Sequence, residues 1–423
     1  MKNDKRNGRR CRKRKKKRRD ASTSVFLVII LSSMISLSFA FVSASLRVGG
    51  IGYSDAVLNI AGRSVLSGYD THLKEEYGLL AFRGLGPEIA QRVEHFASYT
   101  FDSNKYLELG DVTANSGGMS LADVDAFEDE VVKYSKYAIA RGMIPGEGEE
   151  AAEGANEGMA LSNEERYRTL RNKAVIGSLP SGGEPGNGNI ISSVKGAVTS
   201  PGGAFSAGTS NYFVVRYIMM EFGNAQSGSD RDTFFVNEAE YILEGEMSDE
   251  ANLKAFKKDI IEARNASNLI YIWLDPEMRE KVIAVSEAAT PGPWSALTAA
   301  AISEAWALAE SMNDLKLLEH GKKVPVQKTK ETWAVDIESL FNKENAEAKY
   351  IDTGSKTGLT YTGYLRLFLF FEERSLRLMR MMDLMQINIQ GKYDRDFLIM
   401  EHNLGFWFKA EVDGREYAYE EKY

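Results

Sequence analysis

A stretch of 26 residues without a charged side chain, Ala21 to Leu46, lies close to the start of the chain. It opens with an unbroken apolar run from Val25 and continues with serines among apolar residues. About 20 helical residues cross a hydrocarbon core of roughly 30 Å, and serine hydroxyls in such a helix can bond to preceding carbonyls. The sequence therefore predicts a transmembrane helix over residues 21–46.

The chain on the two sides of this stretch carries opposite charge. Residues 1–20 hold thirteen Lys or Arg against Asp4 and Asp20, a net charge of +11, whereas the rest holds 39 basic and 58 acidic residues, a net charge of -19. Basic residues mark the cytoplasmic end of a membrane span. We therefore expect a single-pass protein of the cell membrane, with a cytoplasmic N-terminus and an extracytoplasmic C-terminal domain.

Membrane lipid is the partner that this pattern predicts, bound through residues 21–46 and through the basic tail, which attracts anionic headgroups. No aromatic residue is interleaved in the tail to stack on bases, so no nucleic-acid partner is expected. A cleaved signal peptide is the alternative, since Val42-Ser43-Ala44 offers small residues to a signal peptidase and would yield a product starting at Ser45. The single cysteine, Cys11, lies in the tail, so the domain beyond the span has no disulfide.

Composition and periodicity predict an α+β, predominantly helical fold, in which one N-terminal transmembrane helix precedes an exported helical domain with a C-terminal β-hairpin. Residues 47–143 are predicted to form a membrane-proximal α+β module, 144–211 a Gly/Ser/Glu-rich flexible linker, and 212–423 a mainly helical C-terminal domain. Caps, periodicity and turn residues predict a helix break or bend at Gly49 to Gly52, helices over 54–80, 120–142, 248–274, 276 onward, 293–321 and 364–391, and strands over 106–112, 406–412 and 415–420.

No motif identifies a catalytic, cofactor-binding or metal-binding residue, and the chain is not expected to be an enzyme. The four histidines, His72, His95, His320 and His402, include no pair four residues apart and have no cysteine near them to complete a zinc site. No glycine-rich loop has the spacing that a phosphate site requires.

An envelope serine enzyme of penicillin-recognising type is an alternative, because three patterns occur in the chain order of that class. Ser192 and Lys195 fit S-x-x-K, Ser311 to Asn313 fits S-x-N, and Lys356 to Gly358 fits K-T-G. Ser192 lies in the Gly/Ser/Pro tract and Lys356 precedes a predicted helix. The class instead needs a helix N-terminus for the serine and a strand for K-T-G.

Eight short motifs outside residues 144–211 form a set. They are Ser24-Val25-Phe26-Leu27, Glu76-Tyr77-Gly78-Leu79-Leu80, Glu238-Ala239-Glu240-Tyr241-Ile242-Leu243-Glu244-Gly245, Asn252-Leu253, Arg264-Asn265-Ala266-Ser267-Asn268, Lys323-Val324-Pro325-Val326, Tyr364-Leu365-Arg366-Leu367 and Met382-Asp383-Leu384. Through them the chain resembles an uncharacterised family of single-anchor bacterial membrane proteins, mainly from Gram-positive anaerobes, associated with loci for tight-adherence (Tad, Flp-type) pili.

The resemblance implies a pseudopilin-like layout, with a basic leader, one apolar helix and an exported α+β domain. The chain departs from true pilins because Asp20-Ala21-Ser22 has no glycine before a cleavage point and no glutamate follows near the start of the apolar helix. The resemblance implies an accessory or structural component of a Tad-like pilus or secretion apparatus, with other components of that apparatus as partners. A surface binding module with a cleaved signal peptide, which meets its partner through residues 144–211, is a further alternative. The sequence assigns no oligomeric state.

Overall fold

A computed structural model of the chain describes residues 4–142, 166–183, 190–199, 208–228, 231–341 and 350–423. The described part is mostly helical and ends in a β-strand region, which confirms the predicted fold class. The helices are α1 (Asp4–Leu66), α2 (Thr71–Tyr77), α3 (Gly86–Phe101), α4 (Val124–Ala140), α5 (Lys173–Ile176), α6 (Ile190–Thr199), α7 (Thr209–Glu221), α8 (Glu238–Glu244), α9 (Asp249–Leu274), α10 (Pro276–Ala289), α11 (Ser295–Glu319), α12 (Tyr361–Phe371) and α13 (Arg374–Lys392). The strands are β1 (Phe82–Arg83), β2 (Leu109–Asn115), β3 (His402–Asn403), β4 (Gly405–Val412) and β5 (Arg415–Lys422).

The chain divides into two compact units, and neither is continuous in sequence. Unit 1 comprises Met1–Ser67, Gly86–Asn115 and Trp407–Glu421, and unit 2 comprises Gly68–Leu85, Ser116–Phe406 and Lys422–Tyr423. This division differs from the consecutive domains that the sequence predicted. The reason is strand pairing, since β2 lies antiparallel to β4 with Ala114 opposite Phe408.

The first helix of unit 1 runs without interruption through 63 residues. Of the break or bend predicted at Gly49 to Gly52, the break is therefore wrong. A glycine inside a helix costs only about 1 kcal/mol relative to alanine, which the long helix on both sides overcomes. From Thr23 onward α1 is long and apolar enough to cross a membrane, and its side chains from Thr23 to Gly49 are exposed.

The C-terminal part of α1 belongs to the folded body of unit 1. Val57, Leu58, Ala61 and Val65 are buried, and α1 packs against α3. At Gly62 a Cβ atom would lie 2.8 Å from Phe408 Cε1, so only glycine allows this approach to β4.

The C-terminal hairpin confirms the sequence prediction almost to the residue. Asp413 and Gly414, between β4 and β5, have φ angles of 50° and 73°, the left-handed values that a type I′ turn requires. The strand predicted over 106–112 is β2, which lies three residues further along and carries an irregularity between Leu109 and Val112.

Unit 2 is a helical body with one large core formed by α4, α7, α8, α9, α12 and α13. The helix predicted over 364–391 is two helices, because the Glu373 carboxylate accepts hydrogen bonds from the amides of Ser375 and Leu376 and starts α13. The periodicity over 364–391 also predicts an apolar stripe, and most of that stripe is buried. Its fully buried members are Tyr364, Phe368, Leu378, Met382, Met385 and Ile389.

The periodicity over 293–321 also predicts a buried stripe that begins at Trp294 and Leu297 and includes Trp306. Trp294 and Leu297 are 68% and 67% exposed, so the beginning of that stripe is wrong. Trp306 is buried as predicted, and the buried residues of α11 also include Glu310 and Asp314. In an alanine-rich helix the apolar residues do not show which face is buried. In α11 polar residues lie on the buried face.

The described parts of 144–211 are ordered against the core, where the sequence predicted a linker. Leu170, Leu179 and Val194 are buried in the core of unit 2, and α6 packs against α9 and α12. Residues 143–165, 184–189 and 200–207 lie outside the described residues.

Candidate functional site

A cavity of about 700 Å³ lies in unit 1 beside the end of the exposed apolar part of α1. Three segments that are distant in sequence form its walls, namely residues 45–54 of α1, residues 104–107, and residues 412–417 around the hairpin turn. Leu46, Ile51 and Leu107 supply apolar surface. The cavity therefore depends on the fold and has no local sequence signature.

The charged groups of this cavity are two arginines and one carboxylate. Arg47 and Arg415 line it and are exposed, and the Arg415 guanidinium lies 5.4 Å from the centre of the Tyr417 ring. Asp413 also lines the cavity, but its Oδ1 already accepts a hydrogen bond from the Glu108 amide at 3.0 Å. The cavity is therefore positive overall.

One buried hydroxyl group in the cavity wall has no partner. Ser54 is 1% exposed, and no donor or acceptor in the described part of the chain lies within hydrogen-bonding reach of its Oγ. Serines in helices usually bond to a carbonyl one turn back, as Ser64 does with Ile60 O at 2.7 Å. Ser54 is therefore a lining residue of the cavity whose buried hydroxyl has no partner among the described residues.

A second polar arrangement, fully buried in unit 2, is centred on Arg264. Its Nε donates to Asp314 Oδ2 at 2.9 Å, and its Nη2 donates to Asn268 Oδ1 at 3.1 Å. Its Nη1 donates to the carbonyl of Val326 at 2.8 Å and to the Tyr364 hydroxyl at 3.2 Å. The surrounding acceptors raise the pKa of Arg264 despite the opposing effect of burial.

A lysine completes this arrangement. Lys328 Nζ lies 2.5 Å from Glu310 Oε1 and 2.6 Å from Asp314 Oδ1, and Glu310 Oε2 accepts the Val335 amide at 2.8 Å. Two cations therefore face two carboxylates. We call this set the Arg264 network; its members are Arg264, Asn268, Glu310, Ser311, Asp314, Lys328 and Tyr364.

A third arrangement in unit 2 holds two fully buried carboxylates among neutral donors. Glu238 accepts hydrogen bonds from the Gly223 amide at 2.8 Å and from Asn388 Nδ2 at 2.7 Å. Glu240 Oε1 accepts from the Ala225 amide at 3.0 Å and from the Tyr361 hydroxyl at 2.7 Å. We call Glu238, Glu240, Tyr361 and Asn388 the Glu240 network.

Burial dominates the electrostatics of the Glu240 network. It raises the pKa of Glu238 to about 7 and that of Glu240 to about 7, although the hydrogen bonds oppose the rise. Glu240 Oε2 has no hydrogen-bond partner among the residues that the structure describes. Both groups therefore change charge near neutral pH.

Other carboxylates of unit 2 also have raised pKa values, mainly because of burial. The pKa of Glu244 is raised to about 8, that of Glu372 to about 7 and that of Asp259 to about 6, and mutual repulsion adds to the rise. Arg380 opposes it for Glu244 and Glu372. The guanidinium of Arg380 packs on Gly245, where a Cβ atom would lie 2.6 Å from Nη2.

The residues of the serine-enzyme alternative have structural partners. Lys195, on α6, forms an ion pair with Glu262 at 3.8 Å, and Ser192 is exposed. Ser311 is fully buried, donates to the Ala307 carbonyl at 2.7 Å and accepts from Asn268 Nδ2 at 3.0 Å. Ser311 therefore belongs to the Arg264 network.

The histidines have separate environments. His72 stacks on Tyr393 and His320 packs on Tyr350, whereas His402 Nε2 lies 3.4 Å from Asp70 Oδ2. Within the residues that the structure describes, no group of three or more His, Cys, Asp or Glu side chains is placed to hold a metal ion.

Sequence reasoning missed the cavity and both networks. The polar members of the Arg264 and Glu240 networks include residues of the motifs that carried the family resemblance, such as Glu238, Glu240, Arg264 and Tyr364. Polar residues among apolar ones on a helical face were the available signal for buried networks. The cavity had no such signal, because its walls come from three distant segments.

Comparison with known proteins gives one match. The model of a family of unknown function, DUF5702, matches residues 155–414. That range includes the motifs from Glu238 to Leu384 and leaves out the apolar stretch of α1. No curated protein and no solved structure matches the chain.

Proposed function

The chain belongs to DUF5702, a family of unknown function, and because membership brings no activity with it we propose a role from the architecture of the molecule. We propose that it is a single-pass protein of the cell membrane with a cytoplasmic N-terminus. Its body lies outside the cell and serves as an accessory or structural component of a Tad-like pilus or secretion apparatus.

The observation that carries this proposal is the division of α1 into two parts. Between Thr23 and Gly49 its side chains are exposed and mostly apolar, whereas Val57, Leu58, Ala61 and Val65 are buried in the body of unit 1. Because one uninterrupted helix contains both parts, the membrane span continues directly into a folded element. A pseudopilin-like component would have this layout, with a helix that is available to neighbouring helices in the membrane.

The charge distribution supports the proposed orientation. The basic residues before the apolar stretch outnumber those soon after it, where Arg47 is the first charge. Such an asymmetry keeps the basic end in the cytoplasm.

Membrane attachment and orientation are tested in the organism's own cells with the full chain. We expect the protein to remain in the membrane pellet after an alkaline carbonate wash, with its body open to protease added outside intact cells. A released product that starts at Ser45 would contradict a retained anchor.

The role in an apparatus is tested by placing a photo-crosslinking amino acid at Leu37, which is 57% exposed in the apolar part of α1. We expect adducts with pilus or secretion components, identified by mass spectrometry. The matched position is Leu274, which is 75% exposed in unit 2 and controls for non-specific reaction. Adducts at Leu37 with lipid alone, or with a second copy of this chain alone, would contradict the accessory role.

A further inference from the structure

The cavity beside α1 contains a group that the fold leaves unused. Ser54 Oγ is buried and has no hydrogen-bond partner in the described part of the chain. Leaving a buried hydroxyl unsatisfied costs about 1 to 3 kcal/mol, and the helix offers carbonyls that other serines of α1 use, as Ser38 does with Met34 O at 2.9 Å. Ser54 is one of the residues that line the cavity, so a ligand oxygen that reaches its Oγ would satisfy the hydroxyl.

The cavity also has a defined place along the helix. Arg47 is the first charged residue after the uncharged stretch, so it lies where a membrane-spanning α1 leaves the hydrocarbon core. The wall residues from Ser45 to Ser54 cover about 14 Å of helix, at 1.5 Å per residue. Roughly the first half of that length corresponds to the headgroup layer, which is about 5 to 8 Å thick on each side.

The other lining groups match the chemistry of that layer. Arg47 and Arg415 supply positive charge for a phosphate, and arginine binds phosphate oxygens through paired N–H donors. Tyr53, Tyr106 and Tyr417 line the same cavity, and tyrosine is enriched at membrane interfaces, where its ring meets apolar chains and its hydroxyl meets water. Tyr106 is 89% exposed.

From this combination we propose that the cavity binds the headgroup of an anionic phospholipid in the leaflet on the Arg47 side. Arg47 and Arg415 bind the phosphate, the Ser54 hydroxyl bonds a headgroup oxygen, and Leu46 and Ile51 contact the beginning of an acyl chain. The bound lipid then anchors the hairpin turn to α1 at the membrane surface.

This inference requires the membrane span but not the pilus or secretion role. The experiment is therefore done on the purified full chain in detergent, where no other component is present. A failure of the crosslinking test at Leu37 would leave the lipid site untouched, and a failure of the lipid test would leave the apparatus role untouched.

The test is native mass spectrometry of the full chain with phosphatidylglycerol, with phosphatidylcholine, or with inorganic phosphate. We expect one phosphatidylglycerol to be retained in preference to phosphatidylcholine. In the double variant Arg47→Gln/Arg415→Gln that retention should fall about thirtyfold, which is about 2 kcal/mol at roughly 1 kcal/mol per basic residue near a membrane surface. Arg395→Gln, at an exposed position of unit 2, is the matched control and should retain the lipid as the wild type does.

Ser54→Ala distinguishes a ligand site from a simple packing defect. Without lipid the variant should be at least as stable to heat as the wild type, because an unsatisfied buried hydroxyl is removed. With phosphatidylglycerol the wild type should gain more thermal stability than the variant, because only the wild type can bond the headgroup oxygen. A variant that retains lipid and gains as much stability would contradict the role of Ser54.

Two outcomes would overturn the proposal. Equal retention of phosphatidylglycerol by the wild type and the double variant would mean that the lipid is merely adsorbed around α1. Retention of inorganic phosphate in place of phosphatidylglycerol would mean that the cavity takes a free anion and not a lipid.

Discussion

The Arg264 network and the Glu240 network each hold two fully buried carboxylates in unit 2, yet they deal with charge in opposite ways. In the first, Arg264 and Lys328 face Glu310 and Asp314. In the second, the hydrogen bonds to Glu240 come from a backbone amide and a tyrosine hydroxyl, both neutral. A buried charged group needs a partner of opposite sign or becomes neutral. The Arg264 network supplies such partners, whereas the Glu240 network favours the neutral form of its carboxylates.

The difference predicts two kinds of sensitivity. Removing one member of the Arg264 network leaves a buried charge or several buried acceptors without a partner, which is costly at any pH. The Glu240 network depends on protonation instead, because burial raises the pKa of Glu240 to about 7. Mutation of the Arg264 network should therefore lower stability at any pH, whereas the contribution of the Glu240 network to stability should change with pH.

The largest expected effect is that of Arg264→Gln. The substitution removes the donors to Asp314 and to the Val326 carbonyl and should lower the free energy of unfolding by about 3 to 5 kcal/mol. Urea unfolding of the full chain in detergent, followed through tryptophan fluorescence, measures it, and Trp306 reports on unit 2 because it is buried on α11. Arg395→Gln, which replaces an exposed arginine in the same way, is the control and should hardly change the free energy of unfolding. A loss below about 1 kcal/mol for Arg264→Gln would show that the network is not needed for stability.

The second effect is the pH dependence of stability. Burial raises the pKa of Glu240 from its ordinary value of 4.5 to about 7 in the folded protein, so between these values the folded state holds a proton that the unfolded chain has released. The contribution of Glu240 to the free energy of unfolding is fully present below about pH 4.5 and is lost as the pH rises to 7. This loss amounts to about 3 kcal/mol.

Glu240→Gln isolates this contribution. The variant should lose about 3 kcal/mol less stability than the wild type between pH 4.5 and 8, as measured by urea unfolding at each pH. Glu287→Gln, at an exposed position of α10, is the matched control. The remaining pH dependence of the variant should come from the other carboxylates with raised pKa values, which include Glu238, Glu244, Glu372 and Asp259. A pH profile identical to that of the wild type would contradict a buried, protonating Glu240.

The two networks also show where sequence reasoning succeeded. Local signals located the ends of many elements, since Asp275 with Pro276 starts α10 and Asp413 with Gly414 turns the hairpin. Such signals act through neighbouring backbone groups, so the sequence contains them in full. The break between α12 and α13 depends on the Glu373 cap, a signal of the same kind that the longer apolar periodicity obscured.

Contacts between distant residues could not be predicted in the same way. Glu240 and Tyr361 meet across 121 residues, and Arg264 and Tyr364 meet across 100. A single sequence does not show which buried carboxylate meets a cation and which meets a hydroxyl. The cavity of unit 1 could not be predicted for the same reason, because Ser54 and Arg415, which both line it, lie near opposite ends of the chain.

The smallest expected effect comes from two tyrosines that lie three residues apart on α12. Tyr361 donates its hydroxyl to Glu240 Oε1 at 2.7 Å, whereas the Tyr364 hydroxyl accepts from Arg264 Nη1 at 3.2 Å. Both are fully buried, so replacing either by phenylalanine removes one hydrogen bond and should cost about 1 kcal/mol.

The two variants should differ in how that cost varies with pH. Without the Tyr361 hydroxyl the carboxylate of Glu240 loses a donor, so its pKa in the folded state rises further and Tyr361→Phe should cost more at pH 8 than at pH 5. Arg264 stays charged throughout this range, so the cost of Tyr364→Phe should be the same at both pH values. Urea unfolding of both variants at the two pH values measures the difference. Equal costs for Tyr361→Phe at pH 5 and pH 8 would mean that Glu240 does not change charge in this range, and the contrast between the two networks would then be one of geometry alone.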